Sequence, residues 1–170
     1  DVIASAAAAV AEAALGVWGS YEGPDARDWH HGNEVFAVAR GVRACVDPEV
    51  AGIPSDLAVA ADQLARRVEQ MGHYVDEASG SRELCALRER SLCAARSVFA
   101  AARVALWTPD DVALIEDRAE YQARIESGPM LQFAECCRLA VFSLGDAASA
   151  SGLALSIKRT LLGRFADRAG

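Results

Sequence analysis

The stretch SDLAVAADQLARRVEQMGHYV, residues 55–75, decides the fold class. Its apolar residues Leu57, Ala61, Leu64, Val68, Met71 and Val75 alternate steps of four and three without a miss. That spacing puts them on one face of an α-helix, where a strand would need alternation at every second residue. Ser55 and Asp56 suit the start of such a helix, since their short side chains accept N–H groups left free in the first turn.

The same pattern extends outward in both directions. Upstream, a helix is expected from Asp1 to about Trp18, with Val10, Ala14 and Val17 on one face, ended by Gly19-Ser20-Tyr21-Glu22-Gly23-Pro24. Asp25 can cap a second helix, expected to continue to about Val46 with Val35, Val38, Val42 and Cys45 as its stripe. Downstream, Ser79-Gly80-Ser81 is short enough to fold a fourth helix back antiparallel on the third. That helix, about Arg82 to Trp107, carries Leu84, Leu87, Ser91, Ala94, Val98, Ala101 and Ala105, widened by Leu92, Phe99 and Leu106. The width predicts a central helix covered on more than one side.

Thr108-Pro109-Asp110-Asp111 combines a cap, a proline for the first turn and two carboxylates for the positive end of the helix dipole. A fifth helix follows, with Val112, Ile115, Ala119 and Gln122, and stops at Ser127-Gly128-Pro129. The sixth, Met130 to Leu144, is expected to bury Met130, Ala134, Cys137, Val141 and Leu144, leaving Cys136 less buried than Cys137. After Gly145-Asp146 a seventh carries Leu153, Ile157, Leu161 and Phe165. No linker, internal repeat or charge block divides the chain. The expectation is an all-α, single-domain helical bundle over residues 1–170, with six or seven mostly antiparallel helices.

A chain of 170 residues fits one domain, since domains most often hold about 100–150 residues. Its apolar content is dominated by alanine, the best helix former, which suits helices packed closely through small contacts. The net charge of −7 argues against binding to nucleic acid or to anionic membrane surfaces. Basic residues are nearly all arginine, Lys158 being the one lysine, which with the alanine excess reads as a trace of GC-rich coding. Cys45, Cys85, Cys93, Cys136 and Cys137 are odd in number and irregular in spacing, so reduced thiols in a cytoplasmic protein are expected. No apolar run is read as approaching the ~20 residues of a membrane span, and Asp1-Val2-Ile3-Ala4 lacks the positive flank of a signal peptide.

Residues 18–34 concentrate Trp18, Tyr21, Trp29, His30, His31, Asn33 and Glu34. Tyr21, Trp29, His30, His31 and Glu34 are the candidate binding patch, because aromatics bring large rigid area with a polar tip. The alternative is a tryptophan closing the end of the bundle beside two solvated histidines. On one continuous helix His30 and Glu34 would share a face, and that pair resembles a fragment of the hemerythrin pattern. The further histidines of that pattern, and the paired Glu-x-x-His elements of ferritin-type bundles, are lacking; no metal or other cofactor is expected. Arg67 and His73 resemble the Arg-x5-His pair of HEPN ribonucleases, which would imply metal-independent RNA cleavage; here Val68 replaces the polar residue that often follows the arginine. Adjacent Cys136 and Cys137 point about 100° apart on a helix and do not converge on one metal. Asp110, Asp111, Glu116, Asp117 and Glu120 lack the spacing of a magnesium-diphosphate motif.

The expectation for function is a non-enzymatic binding module of immunity, antitoxin or regulatory type, its partner a protein presenting a basic surface. The alternatives are a small-molecule sensor with a pocket near Trp29, or an enzyme, HEPN-like or metal-dependent.

Overall fold

A computed structural model describes residues 2–47, 49–50, 54–77, 80–107 and 128–169 of the chain, with side chains left undescribed at 54–56, 76–77, 147, 160–161 and 163–169. Among the described residues there are seven helices and no strand: α1 (Val2–Gly19), α2 (Ala26–Trp29), α3 (Glu34–Val46), α4 (Pro54–Glu77), α5 (Arg82–Ala105), α6 (Pro129–Leu144) and α7 (Ala147–Ala169). The fold is an all-α bundle. The helix expected from Val112 onward lies outside the described residues.

Helix α5 is the centre of the bundle. It packs against α1, α3, α4 and α6, and its buried residues, among them Leu92, Ala94, Ala95, Val98, Ala101 and Val104, go most of the way round it. Ser81 caps its first turn by accepting from the Leu84 N–H at 3.2 Å. Helix α4 runs antiparallel to it: Tyr74 sits over Arg88, and Gly72 lies beside Arg96. The stripe read from residues 55–75 is the inward face of α4, with Leu57, Ala61, Leu64 and Met71 buried and Val68 and Val75 packed at its edge.

Helix α1 is long and apolar enough to cross a membrane by length and composition, which corrects the reading that no segment is. Here it packs against α3, α5, α6 and α7. Ala4, Ala7, Ala8, Val10, Ala11, Ala14 and Trp18 are all buried in the core. Small side chains let the neighbouring helices approach closely, and they leave the aromatics to fill the wider space at the bundle's end.

The helix expected from Asp25 to Val46 is two helices. Helix α2 ends at Trp29, with the His30 N–H on the Ala26 carbonyl at 2.9 Å and the His31 N–H on the Asp28 carbonyl at 3.3 Å. Gly32 then takes φ +95°, a left-handed conformation open chiefly to glycine. The chain restarts at Asn33, whose carbonyl accepts from the Ala37 N–H at 2.7 Å. His30 and Glu34 therefore stand on either side of a break and share no helical face.

Candidate functional site

Trp29 forms the hub of an aromatic cluster where α1, α2, α4 and α5 meet. The bend after α1 turns Tyr21 inward, with its ring centroid 5.3 Å from that of Trp29. Trp18 stacks on Trp29 at 6.2 Å, and Tyr74 approaches at 6.1 Å. The indole Nε1–H donates to Ser91 Oγ of α5 at 2.7 Å, so the one polar group of this buried ring is satisfied. Trp29 is 3% exposed and Tyr21 6%. The expectation of an exposed aromatic patch is thus corrected: these two rings close the end of an alanine-rich bundle that has few other large residues to do so. His30 is half-buried, its ring 5.2 Å from Trp18 and its Nε2 3.0 Å from the Trp18 carbonyl. An acceptor there favours the tautomer with the proton on Nε2. His31 is exposed, and Glu34 is half-buried at the start of α3 against Gly32.

Beside the rings lies a polar layer that the sequence did not announce. Tyr21 Oη donates to Asp25 Oδ1 at 2.5 Å, and Arg88 Nε donates to Asp25 Oδ2 at 2.9 Å. The paired side chains are 6% exposed for Arg88 and 13% for Asp25. Burial, reinforced by Asp25, pushes the Tyr21 hydroxyl up to about 12. Burial alone would raise Asp25, but bonds from Tyr21, the backbone and Arg88, with the arginine's charge, outweigh it and hold the carboxyl below its ordinary value. Asp25 makes no side-chain cap for α2, contrary to its expected role. Arg88 stands four residues after Leu84 and three before Ser91, on the expected apolar stripe of α5. A lone cation on such a stripe was the available signal for a buried ion pair.

Between α2 and α4 a cleft of about 160 Å³ opens, lined by Asp25, Asp28, Trp29, Arg67, Met71 and Tyr74. Arg67 reaches from α4 to donate through Nη2 to the Asp28 carbonyl at 2.6 Å and the Trp29 carbonyl at 3.4 Å. His73 is exposed and takes no part in the lining. The residues of the expected Arg-x5-His pair thus do not share this cleft.

The second candidate surface is on α6, whose inward face is rotated from the expected one: Cys137 and Leu144 pack at the edge of the core as expected, but Met130, Ala134 and Val141 are exposed. Cys136, Leu139, Ala140 and Ser143 are buried, whereas Met130, Leu131, Val141 and Phe142 are exposed. Cys136, read as the less buried of the pair, is fully buried, and Cys137 is intermediate. The physical reason is close approach to α5. Ser97 Oγ donates to the Cys136 carbonyl at 2.8 Å, and the Cys136 thiol donates to the Ser97 carbonyl at 3.3 Å, contacts that small side chains permit. Burial pushes the Cys136 thiol up to about 12.

Where α6 ends, Gly145 takes φ +74° and Arg90 of α5 donates to the Ser143 and Leu144 carbonyls at 2.9 and 2.7 Å. An open groove of about 460 Å³ follows, lined by Ala86, Glu89, Val141, Phe142, Asp146 and Ala150, among others. Asp146 accepts from the Ser149 N–H at 2.8 Å; those turn bonds hold its carboxyl below the ordinary value.

Among the described residues no three His, Cys, Asp or Glu side chains cluster as a metal site would require. Compared with protein-family models, with curated proteins and with solved structures, the chain matches none.

Proposed function

We propose that the protein is an interaction module that docks a partner protein along the outward face of α6 and the groove beside it. The observation that carries this reading is the set of large apolar residues that α6 leaves outside, although Leu139 is buried and Phe133 and Leu144 pack against the core. The helix turns Cys136, Ala140 and Ser143 inward and leaves Val141 (45% exposed), Phe142 (52%) and Met130 (62%) outside. Exposed large apolar residues gathered on one face mark interaction surfaces, whereas the same residues scattered singly carry no such meaning. Leu155 and Leu162 of α7 are exposed as well.

The groove also favours one class of partner. Its lining combines apolar Val141, Phe142, Ala86 and Ala150 with the carboxylates of Glu89 and Asp146. Its arginine, Arg90, is committed to the carbonyls that end α6. An apolar anchor flanked by lysine or arginine complements that arrangement, in keeping with the net charge of −7. The test is a photo-crosslinking amino acid placed at position 142, with position 59 on α4 as an equally exposed control, in the cells that make the protein. The reading predicts a discrete foreign adduct at 142 that is absent at 59 and weakened by Glu89→Lys. Equal labelling at both positions, or a cross-link only to a second copy of this chain, overturns it.

A further inference from the structure

The exposed leucines of α7 belong to a different surface from the groove. Helix α7 packs on α1 and α6, and Leu153 and Ile157 are its contribution to the core. At about 100° per residue, Leu155 and Leu162 fall within about 20° of each other on the opposite side of the helix. Ala150, which lines the groove, stands about 140° round from Leu155. Leu155 is 55% exposed and Leu162 58%. Lys158 and Arg159 are exposed on either side of the line joining the two leucines, and among the described residues neither is in an ion pair. The net charge of −7, which argues against an anionic surface, is unevenly placed along the chain. Residues 147–170 hold four of the 17 basic residues and one of the 24 acidic ones, so that segment is +3 and the remainder −10. No carboxylate occurs from Ala147 to Ala166.

We propose that the outer face of α7 rests on an anionic phospholipid surface, with Leu155 and Leu162 entering the boundary between headgroups and acyl chains and Lys158 and Arg159 meeting the phosphates. At physiological salt, charges farther off than about 8 Å are largely screened, so a surface approaching α7 is governed by the charges nearest to it. The order of the side chains favours a lipid surface over an acidic protein. A protein covering the leucines would have to enclose the lysine and arginine heads beside them, and such heads are almost never buried unless paired. At a bilayer their long stems lie alongside the leucines while the heads reach up to the phosphates. Two leucines and two cations give weak and reversible attachment, since even a single acyl chain binds only marginally.

The experiment is cosedimentation of the full chain with vesicles of phosphatidylcholine, alone or mixed equally with phosphatidylglycerol, at low and at physiological salt. Binding to the anionic vesicles only is expected, and it should weaken as salt rises. Changing both Lys158→Gln and Arg159→Gln should weaken it about tenfold or more, because each basic residue near an anionic leaflet strengthens attachment about fivefold. Leu155→Gln with Leu162→Gln should weaken it by a similar factor, whereas Val59→Gln on α4 should leave it unchanged. All of these side chains are exposed, which keeps the effects on folding small. No sedimentation with anionic vesicles, equal sedimentation with neutral ones, or binding unchanged in the α7 variants overturns the proposal. Retention on immobilised polyglutamate without sedimentation on anionic vesicles overturns the choice of a lipid in favour of an acidic protein.

Discussion

Trp29 shows how one residue can have its chemistry legible in the sequence while its placement is not. Its neighbourhood stands out as the aromatic pole of an alanine-rich chain, but the same concentration suits a surface patch and a plug. The break at Gly32 decided the matter, by ending α2 at Trp29 and turning the ring under Tyr21, Trp18 and Tyr74. Trp29→Ala should therefore cost about 3–5 kcal/mol in equilibrium denaturation through the cavity it leaves. Trp29→Phe should cost less but still measurably, because Ser91 Oγ loses its buried donor.

The polar pair beside it sets limits with pH. Asp25 titrates below its unfolded value of about 3.9. Its contribution to stability is thus present above that pH and lost as the pH falls through the lower folded value. Tyr21 has the opposite sign: its hydroxyl is raised to about 12, so its contribution is intact below the unfolded value of about 10 and disappears as the pH climbs toward 12. Melting temperature followed against pH should fall at both ends in the wild type. Asp25→Asn should flatten the acid limb, and Tyr21→Phe the alkaline one.

At the scale of elements, periodicity located the helices better than it chose their faces. In α4 Leu57, Leu64 and Met71 share one buried stripe while Val59 and Tyr74 stand outside it, so the period identified the inward face. In α6 it did not. Apolar residues occupy both sides of the helix, and the reading followed Met130 and Val141, whereas the bundle chose Cys136, Ala140 and Ser143 to bring α6 close to α5. The alanine content held the general hint of close packing but not the face to which it applied. Cys136→Leu should therefore destabilise by about 1–3 kcal/mol through overpacking, although leucine is the better helix former. Arg90→Ala should also destabilise, by about 1–3 kcal/mol, because the carbonyls at the end of α6 lose a charged donor. Its effect should appear as faster amide exchange confined to the last turn of α6.

Over the whole molecule, fold class was the most legible property, since helical stripes recur along most of the chain and leave no room for a sheet. Circular dichroism should give helix above roughly 65%, about twice the share in an average globular protein. The five cysteines are free. Melting should be insensitive to reducing agent, and a thiol reagent should modify exposed Cys45 long before Cys136, whose buried thiol stays protonated. Function was less legible, because it depends on which large side chains remain outside after packing, and helical period alone does not fix that. The proposal that α6 presents a docking face depends on Phe142 standing outside the core, 52% exposed. The most direct measurement is equilibrium denaturation of Phe142→Gln, a substitution chosen to preserve helix propensity. The account predicts a change within about 0.5 kcal/mol, as for other surface replacements. A loss of about 3 kcal/mol or more, the signature of a truncated core aromatic, would contradict it.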